Sequence, residues 1–173
     1  MLALTLWQPW ATAIAHHGKL VENRTWAPPT SLVSKRFAIH AGKRFDREAY
    51  EMLAEMGAVF SPSASPTLRR VFTPRAELPL GAIVATARVA GWVRSEWIVS
   101  AAEHPFDFFG VTEEQARSAL RSTWWIGPVG WVLDHVIAFD PVPCSGAQGL
   151  WSLPADVDRL VREREANEVR RAG

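Results

Sequence analysis

The sequence predicts an α+β fold in which strands and short helices alternate, and three observations lead to this prediction. Residues 2–6 alternate leucine with smaller or polar residues, which is the period of a half-buried strand. The next run begins at Pro9, which a first helical turn tolerates, and stops at Gly18, a usual helix exit. Residues 81–93 are small and β-branched, as in a strand buried on both faces. Strands interleaved with short helices indicate the α+β class.

Size and composition predict one globular domain over residues 1–173. The chain is 48% hydrophobic and 21% charged, which excludes a disordered protein. Neither an internal repeat nor a linker interrupts it. We expect a core over about residues 2–154, a surface loop over 61–80 and a charged helix over 155–173.

The segment that follows Gly18 carries the candidate site. Residues 19–26 are predicted to form a strand in which Glu22 and Arg24 share one face. Lys19 joins them because the chain is still turning after Gly18. One acid and two bases beside tryptophans form a candidate functional site. The alternative is a surface ion pair between Glu22 and Arg24, which would contribute little.

The remaining elements follow from periodicity, caps and turn residues. Strands are predicted at residues 35–40, 122–126 and 130–139. Helices are predicted at residues 46–56, 96–103 and 156–171, with another that opens at a capping box on Thr112. The aromatic residues of 104–110 either cover the core or form a lid over a pocket, and the first is favoured. His40 either caps a strand end or lies at the mouth of a pocket.

Aromatic content and charge limit the possible partners. Most of the nine tryptophans are expected to pack in the core, while two or three can form a stacking platform for a base. Trp7, Trp10 and Trp26 are the candidates. A net charge of +1 gives no global basic field, so a nucleic acid would need a local patch or be small.

Cofactor and membrane chemistry find little support in the sequence. The single cysteine, Cys144, allows neither an intramolecular disulfide nor a thiolate zinc site, and we read it as structural. His16 and His17 are adjacent on a helix end and cannot ligate one metal ion from one face. We therefore expect no metal and no cofactor. No leader-like segment and no apolar run near eighteen residues appear, so we expect a cytoplasmic protein that does not bind membranes.

Two early motifs resemble those of a known family. The runs Leu4-Thr5-Leu6-Trp7-Gln8-Pro9-Trp10-Ala11 and Gly18-Lys19-Leu20-Val21-Glu22-Asn23-Arg24-Thr25-Trp26 are similar to the opening of the activating-signal-cointegrator homology (ASCH) family, which is related to the PUA domains. That family has a Q-P-W-A stretch followed by a K-x-x-E-x-R strand. Residues 127–133 and 146–154 are similar to the closing strands of bacterial members. The resemblance spans about residues 2–154.

The resemblance implies a PUA-like small mixed β-barrel with short flanking helices and a cleft at one end. Family members are generally proposed to bind RNA or other nucleic acid, DNA included. A bacterial branch removes the acetyl group from N4-acetylcytidine, and ribonuclease activity is attributed to some members. Lys19 matches the catalytic lysine of the amidohydrolase branch, whereas Glu22 stands at its threonine position. The downstream glutamate of that branch can be Glu96, Glu103 or Glu113.

Two functions follow as hypotheses. The first is a binding module for RNA, single-stranded nucleic acid or a modified or flipped base, in a cleft lined by Lys19, Glu22 and Arg24. The second is a hydrolase, an amidohydrolase or a ribonuclease, in which Glu22 activates water and Lys19 stabilises an oxyanion. The predicted ligand-binding residues are Trp7, Gln8, Trp10, Lys19, Glu22, Arg24, Thr25, Trp26 and His40.

Overall fold

Seven strands and four α-helices alternate along the part of the chain that the computed structural model describes, residues 1–60, 78–96 and 104–173. The strands are β1 (Leu2–Gln8), β2 (Val21–Arg24), β3 (Arg36–Phe45), β4 (Ala82–Arg94), β5 (Asp107–Phe109), β6 (Val129–Pro143) and β7 (Leu150–Ser152). The helices are α1 (Trp10–His16), α2 (Arg47–Phe60), α3 (Glu113–Leu120) and α4 (Ala155–Ala172), with a 3-10 turn at Thr30–Leu32. The α+β prediction is confirmed.

The strands form one sheet in the order β2-β6-β4-β3-β1-β7, and β5 pairs with β4 off this path. β1 runs parallel to β3 and antiparallel to β7, while β2 runs antiparallel to β6. The resemblance implied a closed barrel. Within the described residues the sheet is open instead, because the short end strands β2 and β7 each pair with a single neighbour in this order.

The chain divides into two compact units, which are described separately. Unit 1 contains Met1–Gly18, Ala38–Thr86 and Ile137–Gly173, and unit 2 contains Lys19–Phe37 and Ala87–Val136. That the whole chain is a single domain stays a prediction.

Unit 1 has an apolar core between its strands and α4. Val161 is fully buried there, whereas most of the other side chains of α4 are exposed or partly exposed, as the narrow apolar stripe of this helix predicts. The N-terminal ammonium lies 3.1 Å from the carboxylate of Asp158 on the same helix. The buried core residues are Ala3, Ala38, Ile83, Phe139, Val142, Leu153 and Val161.

Unit 2 has its own core, against which α3 packs. The capping box at the start of this helix is present: Thr112 Oγ1 accepts from the Gln115 backbone N–H, and Gln115 Oε1 accepts from the Thr112 backbone N–H. The core residues are Val21, Val93, Ala116, Ala119, Leu120 and Trp125.

Several predicted boundaries and elements differ from the structure. Residues 122–126 form a turn closed by a Trp125 N–H to Ser122 C=O bond rather than a strand. The favoured reading of residues 104–110 as a cover for the core is only partly met, since Phe106 packs on the unit 2 core while Phe108 and Phe109 are exposed on β5. The predicted surface loop over 61–80 and the predicted helix over 96–103 fall mostly on residues 61–77 and 97–103, which lie outside the described residues. Within the described end of that loop, Leu78 is buried rather than on the surface. No helix of the described part is both long and apolar enough to span a membrane.

Candidate functional site

In unit 2, the Glu22 carboxylate contacts two cations, one at each oxygen; it accepts a hydrogen bond from Lys19 and forms an ion pair with Arg24. Lys19 Nζ lies 2.8 Å from Glu22 Oε2, and Arg24 Nε lies 3.2 Å from Glu22 Oε1. Lys19 Nζ also donates to the backbone carbonyl of Val21. The three charged residues that the sequence placed together are therefore in direct contact.

Backbone geometry before β2 explains this arrangement. Gly18 lies two residues after the end of α1 and has a φ of +69°, a left-handed conformation that glycine adopts at low cost. The strand begins only at Val21, so Lys19 is not bound to strand alternation and turns towards Glu22. Leu20 remains tied to the sheet because its carbonyl accepts from the Leu133 N–H.

Burial separates the roles of the three side chains. Lys19 is 1% exposed and Glu22 is 5% exposed, whereas the Arg24 side chain is 23% exposed. The alternative of a solvated surface ion pair does not describe this cluster, because its carboxylate is buried and contacts two cations. One acid and two bases leave a net charge of +1, and Arg24 brings that charge to the surface.

Thr25 and Trp26 extend the cluster beyond the end of β2. Both residues are exposed. The Trp26 ring meets the buried Trp131 ring edge-on, with centroids 4.8 Å apart and an interplanar angle of 83°. Trp131 Nε1 also donates to the Trp26 carbonyl at 2.9 Å. The indole of Trp26 is thus held by the core while part of its surface faces solvent.

Asn23 holds the neighbouring turn and was not identified from the sequence. Its side-chain nitrogen donates to the Trp124 carbonyl, and its oxygen accepts from the backbone N–H groups of Ile126 and Gly127. No local sequence signal could have found it, because the turn it binds lies 103 and 104 residues away along the chain. Asn23 fixes the turn from the strand position between Glu22 and Arg24.

The other predicted site residues lie in unit 1. Gln8 is fully buried, and its side chain donates to the Pro79 carbonyl and accepts from the Thr12 N–H. Trp10 Nε1 donates to Asp46 Oδ2 at 3.1 Å. Trp7 is exposed. Gln8 therefore performs structural bonding inside unit 1, and Trp7 faces solvent.

His40 is buried under a glycine. Its Nε2 lies 3.0 Å from the Cys144 carbonyl, its ring meets Trp151 edge-on, and a Cβ on Gly146 would come within 2.2 Å of its Cε1. Burial lowers the pKa of His40, and the hydrogen bond to Cys144 opposes that effect in part. His40 is therefore favoured in its neutral form.

Two further chemical candidates of the described residues, Cys144 and Glu113, have other surroundings. Burial, with the nearby Asp156, raises the pKa of the Cys144 thiol, which disfavours a nucleophilic thiolate. Glu113 pairs with Arg117 on the exposed face of α3, and Glu103 lies outside the described residues. Over residues 1–60, 78–96 and 104–173, no group of three His, Cys, Asp or Glu side chains could hold a metal ion.

Comparison with known proteins finds similarity in structure only. No protein-family model matches the chain, and no curated protein matches it. The chain is similar to the crystal structure of ASCH from Zymomonas mobilis, with a TM-score of 0.49 and 14% identity over 94% of this chain and 93% of that one. A tyrosine-to-phenylalanine mutant of the same protein has a TM-score of 0.49 and 16% identity, over 94% of this chain and 96% of that one. A serine-to-alanine mutant has a TM-score of 0.48 and 15% identity, over 94% of each chain.

These structures are named as ASCH proteins, and the two early sequence motifs resemble the same family. At such TM-scores and identities the similarity assigns neither ligand nor activity.

Proposed function

We propose that the protein binds nucleic acid, with RNA as the first candidate, at the end of β2. The observation that supports this most directly is the double pairing of Glu22 with Lys19 and Arg24. Two cations contact one buried acid, and the Arg24 side chain is 23% exposed, so part of this charged cluster lies at the surface. A phosphate group is the complementary ligand.

Each exposed residue after Glu22 has a part in this proposal. Arg24 contacts a phosphate oxygen, because a guanidinium matches phosphate geometry and is held in place by Glu22. Trp26 stacks on a base through its solvent-facing surface, which is worth about 1–3 kcal/mol per base. The Thr25 hydroxyl donates to a phosphate or to a ribose 2′-OH. The buried Lys19 and Glu22 position Arg24.

A short single strand or a flipped base fits better than a long duplex. The net charge of +1 supplies no extended basic surface for many phosphates. A stacking tryptophan also needs a base whose face is open, which paired bases inside a duplex do not offer.

Hydrolysis is the second candidate, and the Lys19–Glu22 contact of 2.8 Å favours it. In such a pair Glu22 takes a proton from water as the water oxygen adds to the carbonyl carbon or the phosphorus, and Lys19 stabilises the oxyanion. The C–N or P–O bond then breaks, and the protonated Glu22 returns the proton to the leaving amine or hydroxyl. The substrate would be an acylated nucleoside or an RNA phosphodiester. This mechanism requires the reacting group to reach Glu22, which is itself 5% exposed.

Fluorescence anisotropy of labelled ten-nucleotide RNA, DNA and a duplex, over a salt series, tests the proposal. Arg24→Ala and Trp26→Ala should weaken single-strand binding, and Arg24→Ala should also lower the salt slope by about 0.7, the value for one phosphate contact on a single strand. Arg171→Ala is the matched control, since Arg171 is exposed and pairs with Glu168 on α4.

The same RNA mixtures, and parallel mixtures that contain N4-acetylcytidine, are analysed by mass spectrometry for cleaved RNA and for deacetylated nucleoside. Product formation that Glu22→Gln abolishes, in a variant that remains folded, would favour the hydrolase. Equal affinities of wild type, Arg24→Ala and Trp26→Ala would refute the binding site.

A further inference from the structure

Trp7 is an exposed tryptophan on an otherwise inward-packed strand. Its neighbours Leu6 and Gln8 are buried, whereas Trp7 is 46% exposed, as strand alternation requires of the residue between them. A large indole in this position does little for the core of unit 1. Its exposed surface is available for contact with another molecule.

The pairing of β1 with β3 is irregular at this residue. Leu6 pairs with Ala41 and Gln8 pairs with Phe45, so a single residue of β1 stands opposite residues 42–44 of β3. The extra residues form an irregularity of the β-bulge type, a feature that redirects side chains and is common near functional sites.

Gly42 allows the irregular segment to stay close to β1. A Cβ at this position would lie 2.9 Å from Thr5 Cγ2 and 3.2 Å from the Leu6 carbonyl oxygen. The next two residues, Lys43 and Arg44, are exposed. The irregularity thus presents two consecutive cations on the surface, of which Lys43 lies by Gly81, with its Cε 3.7 Å from where a Cβ on that glycine would be.

Arg44 contacts the tryptophan directly. Its guanidinium carbon lies 5.3 Å from the Trp7 ring centroid, within the range of a cation–π interaction. A planar cation beside an indole places a phosphate-binding group next to a base-stacking surface. This combination is typical of proteins that bind single strands.

The acids in this segment leave the cations in excess. Asp46 is occupied inside unit 1, since it accepts from Trp10 Nε1 and from the Ala49 N–H. Arg47 and Glu48 are both exposed at the start of α2. Residues 43–48 contain three cations and two carboxylates, a net charge of +1. The local charge favours an anionic ligand.

We propose that Trp7 and Arg44 form a second binding surface for single-stranded nucleic acid, the Trp7 surface. One base stacks on the Trp7 indole, and Arg44 holds an adjoining phosphate. Lys43 and Arg44 belong to neither motif that resembles the ASCH family. The inference rests on the proposed function, because it assumes the same class of ligand.

The test compares two probes of equal charge: a fluorescein-labelled ten-nucleotide oligouridylate and an abasic ribose-phosphate strand of the same length. Trp7→Ala should weaken oligouridylate binding by about 5- to 150-fold, the range for one lost base stack, and leave abasic-strand binding unchanged. Trp7→Phe should retain most of the affinity. Arg44→Ala should weaken both probes and lower the salt slope by about 0.7.

Phe109→Ala is the matched aromatic control, because Phe109 is as exposed as Trp7 but lies on β5 of unit 2. Circular dichroism confirms that each variant is folded. If Arg24→Ala weakens binding while Trp7→Ala and Arg44→Ala bind as wild type, the Trp7 surface is refuted and the proposed function stands. Equal losses of both probes in Trp7→Ala would refute base stacking. If the wild type binds neither probe, both proposals fail.

Discussion

Lys19→Met tests whether the buried charge cluster stabilises the fold. Methionine keeps a long, flexible side chain but removes the ammonium that lies 2.8 Å from Glu22 Oε2 and also donates to the Val21 carbonyl. The Glu22 carboxylate then remains buried, with Arg24 Nε 3.2 Å from its other oxygen. A buried acid that has lost one of its two cations is the expected source of instability.

The magnitude follows from the burial of the pair. Removing one partner of a buried ion pair costs about 3–5 kcal/mol of unfolding free energy, and the remaining contact with Arg24 favours the lower half of that range. For a chain of this length a loss of about 3–5 kcal/mol lowers the melting temperature by about 6–20 °C. The loss of unfolding free energy in the double variant Lys19→Met/Glu22→Gln should be about 1–3 kcal/mol smaller than the sum of the losses in the two single variants. The reason is that the double variant has no buried Glu22 carboxylate for the missing lysine to leave unpaired.

Urea unfolding followed by tryptophan fluorescence measures these differences by linear extrapolation. Arg117→Met is the matched control. It breaks an exposed pair with Glu113 and a cation–π contact with Phe106, both in unit 2, and should change the unfolding free energy by about 1 kcal/mol at most. The reasoning is refuted if Lys19→Met costs less than about 1 kcal/mol, or if its cost and that of Glu22→Gln simply add.

Two further predictions concern the buried histidine of unit 1. Burial lowers the pKa of His40 in the folded protein below its ordinary value of 6.5. As the pH falls, the His40 ring is therefore protonated in the unfolded chain before it is protonated in the folded one. The free energy of unfolding should consequently decrease as the pH drops below 6.5. His40→Gln should flatten the dependence of unfolding free energy on pH between about 7.5 and 5.5, and parallel curves for the two proteins would contradict this. Gly146→Ala should destabilise by about 1–3 kcal/mol because its Cβ would overlap the His40 ring, measured as a lower urea midpoint. Ser145→Ala, an exposed neighbour, is its control, and equal midpoints for the two variants would contradict the expected overlap.

Local chemistry was sufficient to predict much of the secondary structure. Alternation in residues 2–6 predicted β1, the small β-branched run predicted β4, and Thr112 predicted the start of α3 through its capping box. Each of these signals depends on residues that are close in sequence. For the same reason, the positions of Lys19, Glu22 and Arg24 could be grouped from strand alternation and the turn at Gly18.

Long-range pairing decided what the sequence could not. β5 exists because residues 107–109 pair with β4, and residues 122–126 form a turn rather than the strand that their composition suggested. The resemblance implied a barrel, whereas the described strands leave β2 and β7 at the two ends of the sheet. Propensity within a short segment contains no information about which distant strand will pair with it.

Burial and register likewise came only from the tertiary structure. Gln8 and Trp7 are adjacent in a motif that predicted ligand contact for both, yet Gln8 bonds inside unit 1 while Trp7 faces solvent beside Arg44. The sequence by itself indicated that Glu22 and Arg24 share one face of β2 and that Lys19 joins them. Only the fold decided that Lys19 and Glu22 are buried while Arg24 reaches solvent, because burial depends on packing by residues far away along the chain.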